Sequence, residues 1–127
     1  MQPAYLDCNA TTPVEEEVAR NTQRFLIEEY GNPASPIHMY GTMARMAVEK
    51  SRRDIAAVVD VQPDEVIFTS GATESNNLAL LGLTETGLRG GQNHIICSAI
   101  EHKSVIEPCE QLQRRGFEVT LLPVDRS

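Results

Sequence analysis

The chain has 127 residues, of which 41% are apolar, which is enough for the core of one domain or of one lobe of a larger protein. Its net charge of −7 and its lack of a basic run argue against nucleic acid as a direct partner. The chain has no apolar segment of membrane-spanning length and no signal-peptide pattern, so we expect a cytoplasmic protein with no membrane partner. Its three cysteines lack metal-site spacing, so we expect reduced thiols and no metal.

The first predicted element after an extended lead, Ala4 to Asn9, is an amphipathic helix. Thr12 is a capping residue, Pro13 suits the first helical position, and Glu15 can complete a capping box. Gly31 is typical of a helix end. The sequence therefore predicts a helix from about Thr12 to Gly31.

A loop with two prolines, Pro33 and Pro36, follows this helix. Proline lowers the entropy of the unfolded loop, so the loop can hold a defined shape. His38 lies at its end, where a histidine that anchors the loop or lies at the surface is the expectation. A second helix is predicted over Thr42 to Asp60, with a charged, solvated outer face.

The central pattern of the chain is an apolar run followed by a turn and a helix. Val66 to Phe68 is predicted to be a buried strand, and the helix runs from about Thr73 to Leu88. The first N–H groups of such a helix lack partners and carry partial positive charge, which favours an anion, most often phosphate. The same pattern is also typical of an ordinary capped turn, and it matches no nucleotide-binding motif.

The sequence after this helix predicts a strand, another helix and a last strand. The strands are His94 to Ser98 and Phe117 to Leu122. Between them, Ser104 and Glu107 have capping-box spacing, and Gly116 ends the helix. Strands that alternate with helices predict an α/β fold with a parallel sheet covered by helices.

Two predicted turns follow the carboxyl ends of strands, where α/β proteins place their ligands. One turn is Gly71 to Ser75, and the other contains Glu101 and His102. One would present N–H groups and hydroxyls to a ligand, and the other a histidine. Taken alone, His102 is equally consistent with a helix-capping or core histidine.

Four motifs in this order resemble the NifS/IscS-type cysteine desulfurases. They are Ala4-Tyr5-Leu6-Asp7 with Asn9-Ala10-Thr11-Thr12-Pro13, then Tyr30-Gly31-Asn32-Pro33 with His38 and Gly41, then Phe68 to Ser75, and Glu101-His102-Lys103. The resemblance implies the aminotransferase-type (fold type I) fold of class V pyridoxal-phosphate enzymes, usually homodimers. It also implies an extended lead over residues 1–12 and, over residues 13–127, the N-terminal part of the cofactor-binding large domain.

The resemblance assigns the cofactor, pyridoxal 5'-phosphate, to particular residues. Ala72 and Thr73 match the residues that hold its phosphate, and Gly71, in the same turn, lets the ligand approach the backbone and counts with them as cofactor-binding. His102 matches the residue that stacks on its pyridine ring and is thought to move protons, so it is both the cofactor-binding and the catalytic candidate. A flat side chain that titrates near neutral pH suits both tasks.

The implied activity is removal of sulfur from L-cysteine, which gives L-alanine and an enzyme-bound persulfide. The sulfur would pass to an acceptor, such as an iron–sulfur scaffold protein, for cluster assembly or another thio-modification. Selenocysteine lyase or another class V aminotransferase is the near alternative. A non-catalytic phosphate-binding module is the alternative from another class.

The lysines and cysteines depart from the family pattern. Lys50 and Lys103 do not match the lysine that forms a Schiff base with the cofactor, and no cysteine here matches the one that takes up sulfur. In the family both residues lie beyond position 127. We therefore expect an N-terminal part of the enzyme that needs the missing C-terminal part and is inactive alone.

Overall fold

The computed structural model describes residues 3–35 and 37–125, except for the side chains of residues 83, 85, 88 and 89. The chain forms two compact units, one that ends at Val66 and one that begins at Ile67. In order, the helices and strands are α1 (Glu16–Ile27), α2 (Met39–Val59), a short 3₁₀ helix (Pro63–Glu65), α3 (Ala72–Arg89), β1 (His94–Ser98), α4 (Lys103–Arg114) and β2 (Glu118–Leu122). No helix among these residues is long and apolar enough to cross a membrane.

The first helix begins later and ends earlier than predicted. Its N-cap is Glu15, whose carboxylate accepts hydrogen bonds from the N–H groups of Glu17 and Val18 at 3.0 and 3.3 Å. The prediction that Thr12 caps this helix is wrong, because the Glu15 side chain satisfies the unpaired N–H groups of the first turn instead. The helix stops at Ile27, four residues before Gly31.

The second helix confirms the loop-anchoring expectation for His38. The Nδ1 atom of His38 accepts a hydrogen bond from the N–H of Gly41 at 3.2 Å and so caps α2. Gly41 is buried, and a Cβ there would lie 1.8 Å from the carbonyl oxygen of Ser35, so only glycine fits. Of the two loop prolines, Pro36 lies outside the described residues.

Val66 to Phe68 does not form the predicted strand. Both backbone groups of Val66 bond elsewhere: its N–H donates to the carbonyl of Pro63 at 3.3 Å, and its carbonyl accepts from the guanidinium of Arg52. A strand needs those same groups for its ladder, so Val66 does not enter the sheet.

The second unit contains the sheet, and both of its predicted strands are confirmed. β1 and β2 pair in parallel, with Ile95 opposite Val119 and Cys97 opposite Leu121. The helix between them, α4, makes the crossover that a parallel pair requires. Helix α3 packs against α4, so the chain belongs to the predicted α/β class.

The core of this unit lies where α4 meets the sheet. Leu112 and Cys109 of α4 are almost completely buried, and Phe117 is buried at the entrance to β2. Burial, together with a hydrogen bond to Cys97, raises the pKa of the Cys109 thiol to about 11. At neutral pH this thiol is therefore protonated and acts as a small apolar core residue, not as a nucleophile.

Candidate functional site

The turn before α3 is held by its own side chains. The hydroxyls of Thr69 and Ser75 lie 2.7 Å apart, and the Thr69 hydroxyl also donates to the carbonyl of Gly71 at 3.2 Å. The N–H of Ser75 donates to the same carbonyl at 3.1 Å and closes the first turn of the helix. The turn is thus a defined structure that presents the start of α3.

The start of α3 offers hydrogen-bond donors to an anion. Because the N–H of Ser75 makes the first bond of the helix, the N–H groups of Ala72, Thr73 and Glu74 precede the helical ladder and have no acceptor within it. The Thr73 hydroxyl makes no hydrogen bond with any residue in the described ranges. These donors, with the positive end of the helix dipole, can bind a phosphate.

A carboxylate lies on the same turn. Glu74 accepts hydrogen bonds from the hydroxyl and the N–H of Ser70, at 2.6 and 2.7 Å. The Ser70 hydroxyl and then the Ser70 N–H lower the pKa of the Glu74 carboxyl. The carboxylate therefore binds the residue before the turn, and the N–H groups of α3 remain available for another anion.

We expect this contact to make the stability of the turn depend on pH. The Glu74 pKa is lower in the folded protein than in the unfolded chain, so its contribution is complete above the ordinary glutamate pKa. It is lost as the pH falls through the folded value. In Glu74→Gln, denaturation of the complete protein between pH 7 and pH 3 should show a stability deficit that shrinks as the pH falls.

The matched control is Glu118→Gln, because the Glu118 carboxylate makes no side-chain hydrogen bond with the part of the chain that is described. This control should follow the parent protein at every pH. A Glu74→Gln deficit of constant size from pH 7 to pH 3 would contradict the carboxylate bond to Ser70.

His102 caps α4 in the structure. Its Nδ1 atom lies 3.1 Å from the N–H of Ser104, which donates to it, and 2.9 Å from the Ser104 hydroxyl oxygen. The predicted capping role of Ser104 therefore belongs to His102, and the helix begins at Lys103. His102 itself is exposed, four residues after the carboxyl end of β1, so it is not a core histidine.

One cavity of about 350 Å³ joins the two parts of the predicted site. Thr73 and His102 both line it, because α3 packs against α4 and brings the starts of the two helices together. Gly71 lies in the adjoining turn and Ala72 is the first residue of α3, and neither lines this cavity. A Cβ on Gly71 would meet nothing within 4 Å, so no crowding by described residues explains that glycine.

Several residues of this cavity were not predicted from the sequence. Its wall includes Asn77, Lys103, Ser104 and Glu107. The Asn77 amide donates to the carbonyl of Thr73 at 2.8 Å and so supports the first turn of α3. Lys103 follows His102 directly in the sequence and adds a cation to the wall of the cavity.

The wall of the cavity carries side chains that can bind an anionic ligand. Thr73 supplies a hydroxyl, Lys103 supplies positive charge, and His102 supplies a flat imidazole ring. Glu107 adds a negative charge to the same wall, which partly offsets the positive charge of Lys103. Within the described residues, no cluster of three or more potential metal ligands occurs.

Comparison with known proteins relates this geometry to a family. The model of the aminotransferase class-V family matches residues 4–127. A protein of Dictyoglomus turgidum named cysteine desulfurase IscS is 49% identical over 122 residues, which are 96% of this chain and 30% of that protein. The chain thus spans about a third of the length of the curated relatives it matches.

Two solved structures have the same fold over nearly the whole chain. The crystal structure of DndA from Streptomyces lividans has a TM-score of 0.77 at 54% identity and covers 94% of this chain and 33% of its own. The structure described as SspA in complex with cysteine has a TM-score of 0.81 at 38% identity, over 93% of this chain and 33% of its own. With a family match from residue 4 to residue 127, the chain belongs to the class-V aminotransferase family.

Proposed function

We propose that the complete protein is a cysteine desulfurase that depends on pyridoxal 5'-phosphate. In the proposed reaction, L-cysteine and an enzyme thiol give L-alanine and an enzyme persulfide. The names of the relatives and the cysteine bound to the related SspA support this activity. Within this chain, the observation that carries the proposal is the cavity on which Thr73 and His102 converge.

The family implies pyridoxal phosphate as cofactor, and the cavity supplies groups that suit it. When bound, this cofactor supplies an electron sink for bonds at the substrate's Cα atom. The N–H groups at the start of α3 and the Thr73 hydroxyl would bind the phosphate, with Lys103 adding positive charge. Gly71 and Ala72 would shape the turn, and His102 would hold the ring and move a proton at its imidazole.

The cellular setting that we propose follows the same family. The protein would act in the cytoplasm as a homodimer, with residues 13–127 in its cofactor-binding large domain after an extended lead over residues 1–12. It would pass sulfur to an acceptor protein for iron–sulfur cluster assembly or another thio-modification. Light scattering of the complete protein measures the dimer directly.

The activity is tested by incubating the complete protein, loaded with pyridoxal phosphate, with L-cysteine and a thiol reductant. Equal amounts of alanine and sulfide are the expected products. L-selenocysteine serves as the competing substrate, and a strong preference for it would replace the desulfurase assignment with selenocysteine lyase. Cofactor binding without any product from either substrate would contradict the proposed reaction.

A further inference from the structure

A chain of hydrogen bonds connects His102 to the helix that carries Thr73. The Asn76 amide donates to the Ser104 hydroxyl oxygen at 2.9 Å, and that oxygen lies 2.9 Å from Nδ1 of His102. Ser104 is 7% exposed, so its hydroxyl lies in the contact between α3 and α4. Thr73, Asn76 and His102 are therefore parts of one connected structure.

The donors in this series of hydrogen bonds determine which nitrogen of a neutral His102 ring carries the proton. The backbone N–H of Ser104 can only donate, and it donates to Nδ1 at 3.1 Å. Nδ1 must then be the unprotonated nitrogen. The Ser104 hydroxyl consequently donates to Nδ1 while its oxygen accepts from Asn76, and the ring proton lies on Nε2.

We propose that Ser104 and Asn76 are positioning residues for His102: the Ser104 N–H fixes the tautomer, and the Ser104 hydroxyl, held by Asn76, fixes the orientation of the ring, so that Nε2 is the nitrogen that exchanges a proton. The catalytic part of this inference rests on the proposed function. The part that concerns the ring rests only on the hydrogen bonds of this chain.

The position of Asn76 explains why the connection matters for a site. Asn76 lies one helical turn after Thr73 on α3, and Ser104 lies two residues after His102. The hydrogen bond between Asn76 and Ser104 therefore connects the start of α3, which carries Thr73, to the start of α4, which follows His102. A helix cap alone would hold the Nδ1 edge of the ring without this link between the two helices.

The tautomer is measured first, on the complete protein without cofactor, by the ¹⁵N chemical shifts of labelled histidine rings. His102→Asn, which retains a capping side chain, identifies the His102 signals by their disappearance. The parent should show an unprotonated Nδ1 and a protonated Nε2. Ser104→Ala keeps the backbone N–H that donates to Nδ1, so the tautomer should persist, but loss of the hydroxyl donor should move the Nδ1 shift further from that of a protonated nitrogen. Ser104→Thr, which keeps the hydroxyl, should restore the parent shift.

Turnover is measured next, on the cofactor-loaded protein. Loss of one orienting hydrogen bond should lower kcat about three- to tenfold in Ser104→Ala, with little change in KM. Asn76→Asp, which can accept from the Ser104 hydroxyl but cannot donate to it, should cause a loss of the same order. Combining Asn76→Ala with Ser104→Ala should cause no further loss, since both remove the same connection.

Two outcomes would overturn the inference. One is a parent ring with its proton on Nδ1, and the other is a Ser104→Ala variant with unchanged shifts and unchanged kcat. A parent that converts no cysteine would end the proposed function instead, and the shifts of the cofactor-free protein would still decide how Ser104 and Asn76 hold the ring.

Discussion

Replacing His102 with phenylalanine should lower cysteine turnover by about 10²- to 10⁴-fold in the complete protein, while much of the cofactor is retained. Phenylalanine keeps a flat ring that can lie against the cofactor ring, but it cannot accept or release a proton. His102→Ala should lose both turnover and cofactor, because it removes the flat ring as well. Steady-state kinetics and the cofactor content of each purified variant separate the two roles.

His102 also caps α4, so replacing it lowers stability as well as removing proton transfer, and the two effects must be separated. Phenylalanine cannot accept the N–H of Ser104, and loss of an N-cap costs about 1 kcal/mol of stability. His102→Asn provides the matched control, since asparagine is a preferred capping residue without an imidazole. It should keep the stability of the parent and still lose turnover. Near-parent turnover in either His102→Phe or His102→Asn would remove the proton-transfer role.

The parts of the fold that depend on local sequence could be predicted. His94–Ser98 is β1 with the predicted ends, because its apolar run follows a glycine turn and is followed by a second turn. Val66 to Phe68 is equally apolar, yet it forms no strand. Arg52 and Pro63 bond both backbone groups of Val66, and contacts of that kind are not visible in a hydropathy pattern.

The candidate site likewise has residues that the sequence could predict and residues that depend on how the helices pack. Thr73 and His102 could be singled out because each lies where a helix begins, and the structure places both on one cavity. The link through Asn76 and Ser104 spans 28 residues and exists only because α3 packs against α4. Sequence spacing gives capping residues within a helix turn, but it does not give the partner of a buried hydroxyl on another helix.

Replacing Thr73 with alanine should weaken pyridoxal-phosphate binding by about one to two orders of magnitude. The Thr73 hydroxyl makes no hydrogen bond within the described part of the chain, so it is available to donate to a phosphate oxygen. Loss of one hydrogen bond to a charged group costs about 1.5–3 kcal/mol, which corresponds to that change in the dissociation constant. Titration of the cofactor-free complete protein with pyridoxal phosphate, followed by absorbance, gives the constant.

Two variants at the same position separate the hydroxyl from the methyl group. Thr73→Ser keeps the hydroxyl and should bind the cofactor nearly as tightly as the parent protein. Thr73→Val keeps the shape without the hydroxyl and should resemble Thr73→Ala. Because Thr73 is exposed at the start of α3, these changes leave the core contacts of Leu112 and Phe117 intact. An unchanged affinity in both Thr73→Ala and Thr73→Val would mean that the N–H groups of α3 bind the phosphate without this side chain.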